Sequence, residues 1–426
     1  MSVTRRYLLK GLGTGSLVLA GGVAAPALWA QTPIDRPKGA RVVIVGGGFG
    51  GATAAAELRR LAPATETILI EPFDTFVSGA SALEYVFDAK SIEQAGRSYA
   101  GLARQGVRVV KAEAQAIDPV GKTVATSAGT FAYTVLVLAT GIRLAPEEIE
   151  GLGTSEANLT PWHRAHLPEL KRRIESLEGG TTVIGVPVGA LKCPPAPYEY
   201  ALLLARHLQR RGGRSRVVLI DSWPTPQPDS VAAGFQAAIE AFGARIEYVP
   251  QGRIARVDTA ARKVFTADGD EFDYNLLSLI PPNRASGLVK DLGLAGDGDV
   301  FADVESLTQR SRRFETLYAV GDAARTPFGK NASAAAGTGL LAARAIARAL
   351  GSREVEEVAA RIRVVCYPFV GFDRALAIET DFTLAANPSA GFPFDMKSSG
   401  DPRPSEGNLA KRRAWESATL KAAFAG

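Results

Sequence analysis

Two cysteines in a chain of 426 residues are the side chains best suited to redox chemistry. Cys193 lies in Lys192-Cys193-Pro194-Pro195-Ala196-Pro197-Tyr198-Glu199; Cys366, 173 residues later, lies in Arg363-Val364-Val365-Cys366-Tyr367-Pro368. A redox pair on neighbouring positions would read C-x-x-C, so these two meet only if the fold brings them together. The residues alone leave three arrangements open: one buried disulfide, two unrelated buried thiols, or a sulfur held in a reactive, exposed place. The Pro-Pro-x-Pro frame favours the last for Cys193, because it fixes the backbone without offering N–H donors. Glu199, at a helix start, is a candidate proton acceptor or donor, although a helix dipole favours any acid there. Two cysteines and three histidines exclude a four-cysteine zinc site and a disulfide-rich scaffold. His163 and His166 have no cysteine or carboxylate cluster beside them and read as surface residues, so no metal is expected. No C-x-x-C-H occurs, so a c-type haem has no usual attachment point on this chain.

These side chains need a scaffold, and the glycines describe one. Arg41 to Val45 reads as a buried parallel strand, followed by Gly46, Gly48 and Gly51 in G-x-G-x-x-G spacing and a helix through Leu58. The first glycine permits the turn, the second lets backbone approach a pyrophosphate, and the third allows close helix–strand packing. A second strand, Thr67 to Ile70, ends in Glu71, 20 residues past Gly51, where a carboxylate accepts ribose hydroxyls. A third buried strand from Thr134 ends in Ala139-Thr140-Gly141, and Thr316 to Val320 ends in Gly321-Asp322 ahead of a helix running to about Leu350. Their order resembles the split FAD-binding domain of the flavoproteins with two dinucleotide-binding domains. That resemblance implies that Asp322 holds the ribityl chain and that the following helix aims its positive end at the flavin.

Residues 181–221 repeat the strand–turn–helix–strand pattern, with a helix over roughly Tyr198 to Arg211. Here the turn carries Pro187, and the proline-rich Cys193 segment follows. Prolines cannot donate to a pyrophosphate, so no nicotinamide nucleotide is expected. Segment 386–408, rich in Pro, Gly, Ser and Asp, reads as loop. Lys411-Arg412-Arg413 reads as a solvated patch that could also steer an acidic partner surface.

The formal charge is +5, from 49 Lys and Arg against 44 Asp and Glu. Arg5, Arg6 and Lys10 supply three of the positives within a first stretch of 30 residues that has no acid, so the remainder gives no case for nucleic-acid binding. Thr4-Arg5-Arg6-Tyr7-Leu8-Leu9-Lys10 resembles a twin-arginine export signal, with cleavage near Ala27 or Ala30. That predicts a periplasmic protein with no membrane span after cleavage.

The strings VVIVGGGFGGATAA, CPPAPYE, LLSLIPPNRA, AVGDAA, CYPFV and Ala414-Trp415-Glu416 together resemble the flavoprotein subunit of flavocytochrome c sulfide dehydrogenase. The resemblance implies an α/β protein with two Rossmann-like dinucleotide-binding domains, the FAD domain split in sequence, plus a C-terminal interface domain. The expected boundaries are 1–30 for the signal, 38–160 and 296–352 for the FAD domain, 161–295 for the degenerate second domain, and 353–426 for the interface. It further implies a Cys193–Cys366 disulfide beside FAD, proton transfer by Glu199, and Trp415 close to the flavin. Hydrogen sulfide would be the substrate and a c-type cytochrome subunit, bearing the haem on a separate chain, the partner. Val365 and Pro368 depart from the T-C-Y-S reading usual around the second cysteine in that family. A sulfide:quinone reductase and a non-catalytic accessory to a sulfur-oxidising complex are the competing expectations.

Overall fold

Val42, Val43 and Ile44 expose none of their surface, the mark of a strand covered on both faces by other elements. They belong to β1 (Arg41–Val45), which runs through the glycine turn into α1 (Phe49–Leu61). Strands β2 (Glu66–Glu71), β3 (Arg108–Lys111) and β4 (Val135–Leu138) follow in the same direction. The computed structural model describes residues 34–153, 157–296, 300–352, 361–389 and 392–425. The export-signal stretch lies outside them.

The chain then builds a second parallel sheet. It uses β5 (Thr181–Val186), α2 (Ala196–Arg210), β6 (Arg216–Asp221), β7 (Ile246–Val249) and β8 (Leu276–Leu279), in the spatial order β7-β6-β5-β8. It returns to the first sheet with β9 (Leu317–Ala319), giving the order β9-β4-β1-β2-β3, and then forms α3 (Ala332–Ala349). Helices α1 and α3 cross closely: a Cβ on Gly339 would lie 2.4 Å from the Gly50 carbonyl oxygen. The first sheet is therefore one unit written in two pieces of sequence, and the α/β class with two Rossmann-like units is the observed one.

The C-terminal part is an antiparallel sheet of β10 (Arg361–Cys366), β11 (Phe369–Gly371), β12 (Arg374–Ser389) and β13 (Phe392–Ser405), closed by α4 (Glu406–Phe424). Segment 386–408 is thus mostly strand and the start of a helix, not a loop. Its prolines and glycines suppressed the alternation signal, while pairing with β12 supplies the ladder. Phe382 and Phe394 meet edge-on with Phe328 on this sheet and anchor it. Leu420, Ala423 and Phe424 of α4 join the core of the first unit, Phe424 stacking on Phe76 with ring centroids 5.2 Å apart. Among the described residues no helix is long and apolar enough to cross a membrane.

Candidate functional site

Cys193 and Cys366 come together. Their sulfur atoms stand 4.0 Å apart and are not bonded to each other, where the family resemblance implies a disulfide. Two elements bring them there. Cys366 is the last residue of β10, whose preceding Val365 N–H donates to Ser333 Oγ on α3 at 3.1 Å. Cys193 sits on the turn before α2 with φ 57°, a left-handed conformation uncommon for any residue but glycine. Such a backbone costs of the order of 1–3 kcal/mol and persists only when its surroundings fix it. They do: Cys193 N–H donates to the Lys330 carbonyl at 2.6 Å, its own carbonyl accepts from Ala196 N–H at 2.9 Å, and Trp162 Nε1 donates to the Lys192 carbonyl at 3.1 Å. Pro195 and Pro197 then start α2, where missing N–H groups cost little.

Both cysteines open into a cavity of about 1370 Å³, part of it solvent-facing. Gly48, Gly141, Gly321, Asp322, Glu199 and Trp415 line the same cavity. Gly46, Gly51, Glu71 and Thr140 are not among the residues that line it. Gly46 has φ 102°, and a Cβ on Gly51 would lie 1.9 Å from the Gly46 carbonyl oxygen, so only glycine closes this turn. Glu71 Oε2 accepts from Gly47 N–H at 2.7 Å, and burial pushes its carboxyl up. Thr140 Oγ1 bonds Ser286 Oγ at 2.9 Å across the two units. Trp415 is half-buried, with its ring 6.0 Å from that of Phe49.

The residues fit FAD. Helix α1 starts at Gly48 with no side-chain cap and no acid in its first turn, so its N–H groups stay available for a pyrophosphate. Asp322 is 8% exposed and its Oδ1 has no hydrogen-bond partner, which a ribityl hydroxyl would supply. The start of α3, at Asn331, Ala332 and Ala335, faces the cavity beside the two thiols. The acid at the matching strand end of the second unit is already satisfied. Asp221, at the end of β6, is wholly buried and accepts from Tyr198 Oη at 2.7 Å, Tyr248 Oη at 2.8 Å and Trp223 N–H at 3.0 Å.

Glu199, the candidate proton acceptor or donor, is paired. It is 4% exposed and its Oε1 accepts from both Arg412 Nη1 and Phe369 N–H, each at 2.9 Å. Burial pushes its carboxyl up, against the opposing pull of Arg412. Arg412 itself corrects the reading of Lys411-Arg412-Arg413 as a solvated patch: only its two neighbours are exposed. A basic run carries no sign of which member turns inward, and only the α4 register, with Leu409 and Arg412 on one face, decides it. His163 is exposed, but His166 is half-buried, with Nδ1 accepting from Thr160 N–H at 3.3 Å.

The family model described as "Sulfide dehydrogenase [flavocytochrome c] flavoprotein chain, central" matches residues 168–281. The sulfide dehydrogenase flavoprotein chain of Chlorobaculum thiosulfatiphilum is 55% identical over 38 residues, 9% of this chain and 79% of that one. The mitochondrial sulfide:quinone oxidoreductase of Mus musculus is 24% identical over 367 residues, covering 83% of this chain and 80% of the relative. Among solved structures, the sulfide:quinone oxidoreductase of Aquifex aeolicus aligns with a TM-score of 0.73 at 20% identity, over 90% of this chain and 92% of that one.

Proposed function

The chain belongs to the family of sulfide dehydrogenase flavoprotein chains and is a sulfide-oxidising FAD flavoprotein; from that premise we propose that Cys193 and Cys366 are its redox pair, with a c-type cytochrome on another chain as acceptor, working in the periplasm after twin-arginine export. The observation that supports this most is the 4.0 Å approach of two sulfurs in the wall of the cavity that fits the cofactor.

In this reading the working pair is oxidised to a disulfide. Hydrosulfide attacks one sulfur: a bond forms to the substrate sulfur, the Cys–Cys bond breaks, and one cysteine leaves as thiolate while the other carries S–SH. Glu199 takes the persulfide proton. The strained turn at Cys193 and the ladder position of Cys366 keep the sulfurs within reach of each other throughout. Trp415 and Phe49 cover the cavity and limit water. Bound FAD supplies the step from a two-electron donor to single-electron transfers.

Anaerobic sulfide titration should bleach the flavin absorbance, and added cytochrome c should restore it. Protein alkylated on both cysteines should keep its absorbance, and bleaching at an unchanged rate after alkylation would overturn the scheme.

The likeness to sulfide:quinone oxidoreductases over most of the chain supports a second reading, with quinone as acceptor. Against it, the apolar residues Leu420, Ala423 and Phe424 of α4 are spent inside the core rather than on a membrane-facing side. A race between cytochrome c and a short-chain ubiquinone for the sulfide-reduced protein decides the acceptor. An accessory protein would reduce neither quickly.

A further inference from the structure

Arg412, on the C-terminal helix, lines the same cavity as the two thiols, and 7% of it is exposed. Its Nη1 donates to Glu199 Oε1 and to the Tyr367 carbonyl oxygen, and its guanidinium carbon lies 3.4 Å from the centroid of the Phe369 ring. The Phe369 N–H donates to the same Glu199 oxygen. Tyr367 and Phe369 flank Pro368, directly after Cys366, and Glu199 is in the first turn of the helix that follows Cys193. One guanidinium therefore ties the two cysteine-bearing segments together.

A buried ion pair is weak evidence for stability, since well-packed apolar residues of similar volume often do as well. Location is the better guide. Arg412, Glu199 and both thiols line one cavity, and Cys193 feels the pair in opposite senses. The Cys366 thiol, burial and Glu199 push the Cys193 thiol up, and Arg412 pulls it down. Lys192, Tyr367, Asp322 and Glu416 also line that cavity, and the Glu84 charge adds to the upward push on Glu199.

We propose that Arg412 is a positioning residue of the redox centre: it holds Glu199 and the Cys366 segment in register and places one positive charge where the sulfur chemistry develops a negative one. The proposal rests on the sulfide reading for its purpose, because the thiolate released by hydrosulfide attack is the charge in question. In that step the substrate sulfur gains the bond that the leaving cysteine loses, so the substrate sulfur is oxidised and the leaving cysteine reduced. The persulfide proton goes to Glu199, and Arg412 is left facing the thiolate.

The test reads the thiols directly. FAD-loaded protein, reduced and kept anaerobic, is treated with iodoacetamide across pH 6 to 11, and cysteine alkylation is followed by mass spectrometry. Arg412→Met should move the rate curve to higher pH, slowing alkylation at pH 8 by about tenfold, the equivalent of one unit in thiol pKa. Glu199→Gln should move it to lower pH. The double variant leaves no lone buried charge and should fall between them. If Arg412→Met fails to fold, adding it to Glu199→Gln must still move the curve upward. Curves that superimpose, or single variants that move the same way, overturn the proposal. Sulfide that fails to bleach the wild-type flavin sinks the sulfide reading alone and leaves the alkylation curves to judge Arg412.

Discussion

The two Rossmann-like units begin alike and end in opposite uses of the same turn. In the first, β1 leads through Gly46, Gly48 and Gly51 to an uncapped helix start, and Glu71 closes β2 against the loop backbone. In the second, β5 leads through Pro187 and Gly189 to a turn that presents Cys193, and Asp221, the acid at the end of β6, is satisfied by two tyrosines and a backbone N–H. One turn offers donors to a phosphate; the other holds a sulfur against the cavity of the first. The same strand–turn–helix frame thus carries two turns of different chemistry.

The largest effect should come from the replaced turn. Cys193→Ser is expected to slow flavin reduction by sulfide at least about a thousandfold in stopped-flow traces, the scale for losing one member of a group that acts as a unit. A rate within tenfold of wild type would mean that the second turn has no chemical task, and the contrast between the units would fail.

The glycines come next. Gly51→Ala puts a Cβ 1.9 Å from the Gly46 carbonyl oxygen, and overpacking of this kind costs about 3 kcal/mol, so the protein should melt lower and emerge without FAD. Gly189→Ala, at φ 89° with nothing within 4 Å of the new Cβ, should cost about 1 kcal/mol and leave FAD bound. Equal losses of FAD from the two variants would erase the distinction.

These features were legible because each is written locally. Glycine spacing, the acid at a strand end, Gly321-Asp322 and the proline frame of Cys193 all act on their immediate neighbours. What escaped is written across the chain. Arg412 and Glu199 are 213 residues apart, and nothing in Lys411-Arg412-Arg413 says which cation faces inward. The Thr140–Ser286 bond joins residues 146 apart. The β12–β13 hairpin was hidden for another reason: a strand whose Lys397, Ser398 and Ser399 are exposed needs few apolar residues, so its composition is that of a loop. Its existence depends on ladder bonds, which composition does not record.

The smaller effects test whether Asp221 is a retired ligand or a structural acid. Asp221→Ala leaves the Tyr198 and Tyr248 hydroxyls without their acceptor and should destabilise the protein by about 2 kcal/mol in urea melts, with FAD content unchanged. Glu71→Ala should do the reverse, weakening FAD retention more than stability. A variant of Asp221 that melted like wild type would show that its partners are dispensable and that the acid is free for a ligand.

The pH dependence is the finest of these tests. Burial pushes the Asp221 carboxyl up from 3.8, although Trp223 N–H and both tyrosines pull it down. The folded chain therefore keeps this proton at a pH where the unfolded chain has lost it. The stabilisation from that proton is complete below 3.8 and is lost as pH rises through the folded value. Asp221→Asn cannot titrate, so the stability of wild type minus that of the variant should fall as urea melts move from pH 4 to pH 7. A difference that stays flat would mean the acid titrates like an exposed one, and one that grows would mean its hydrogen bonds outweigh its burial. Either result would overturn the reading of Asp221 as an acid whose burial outweighs its three donors.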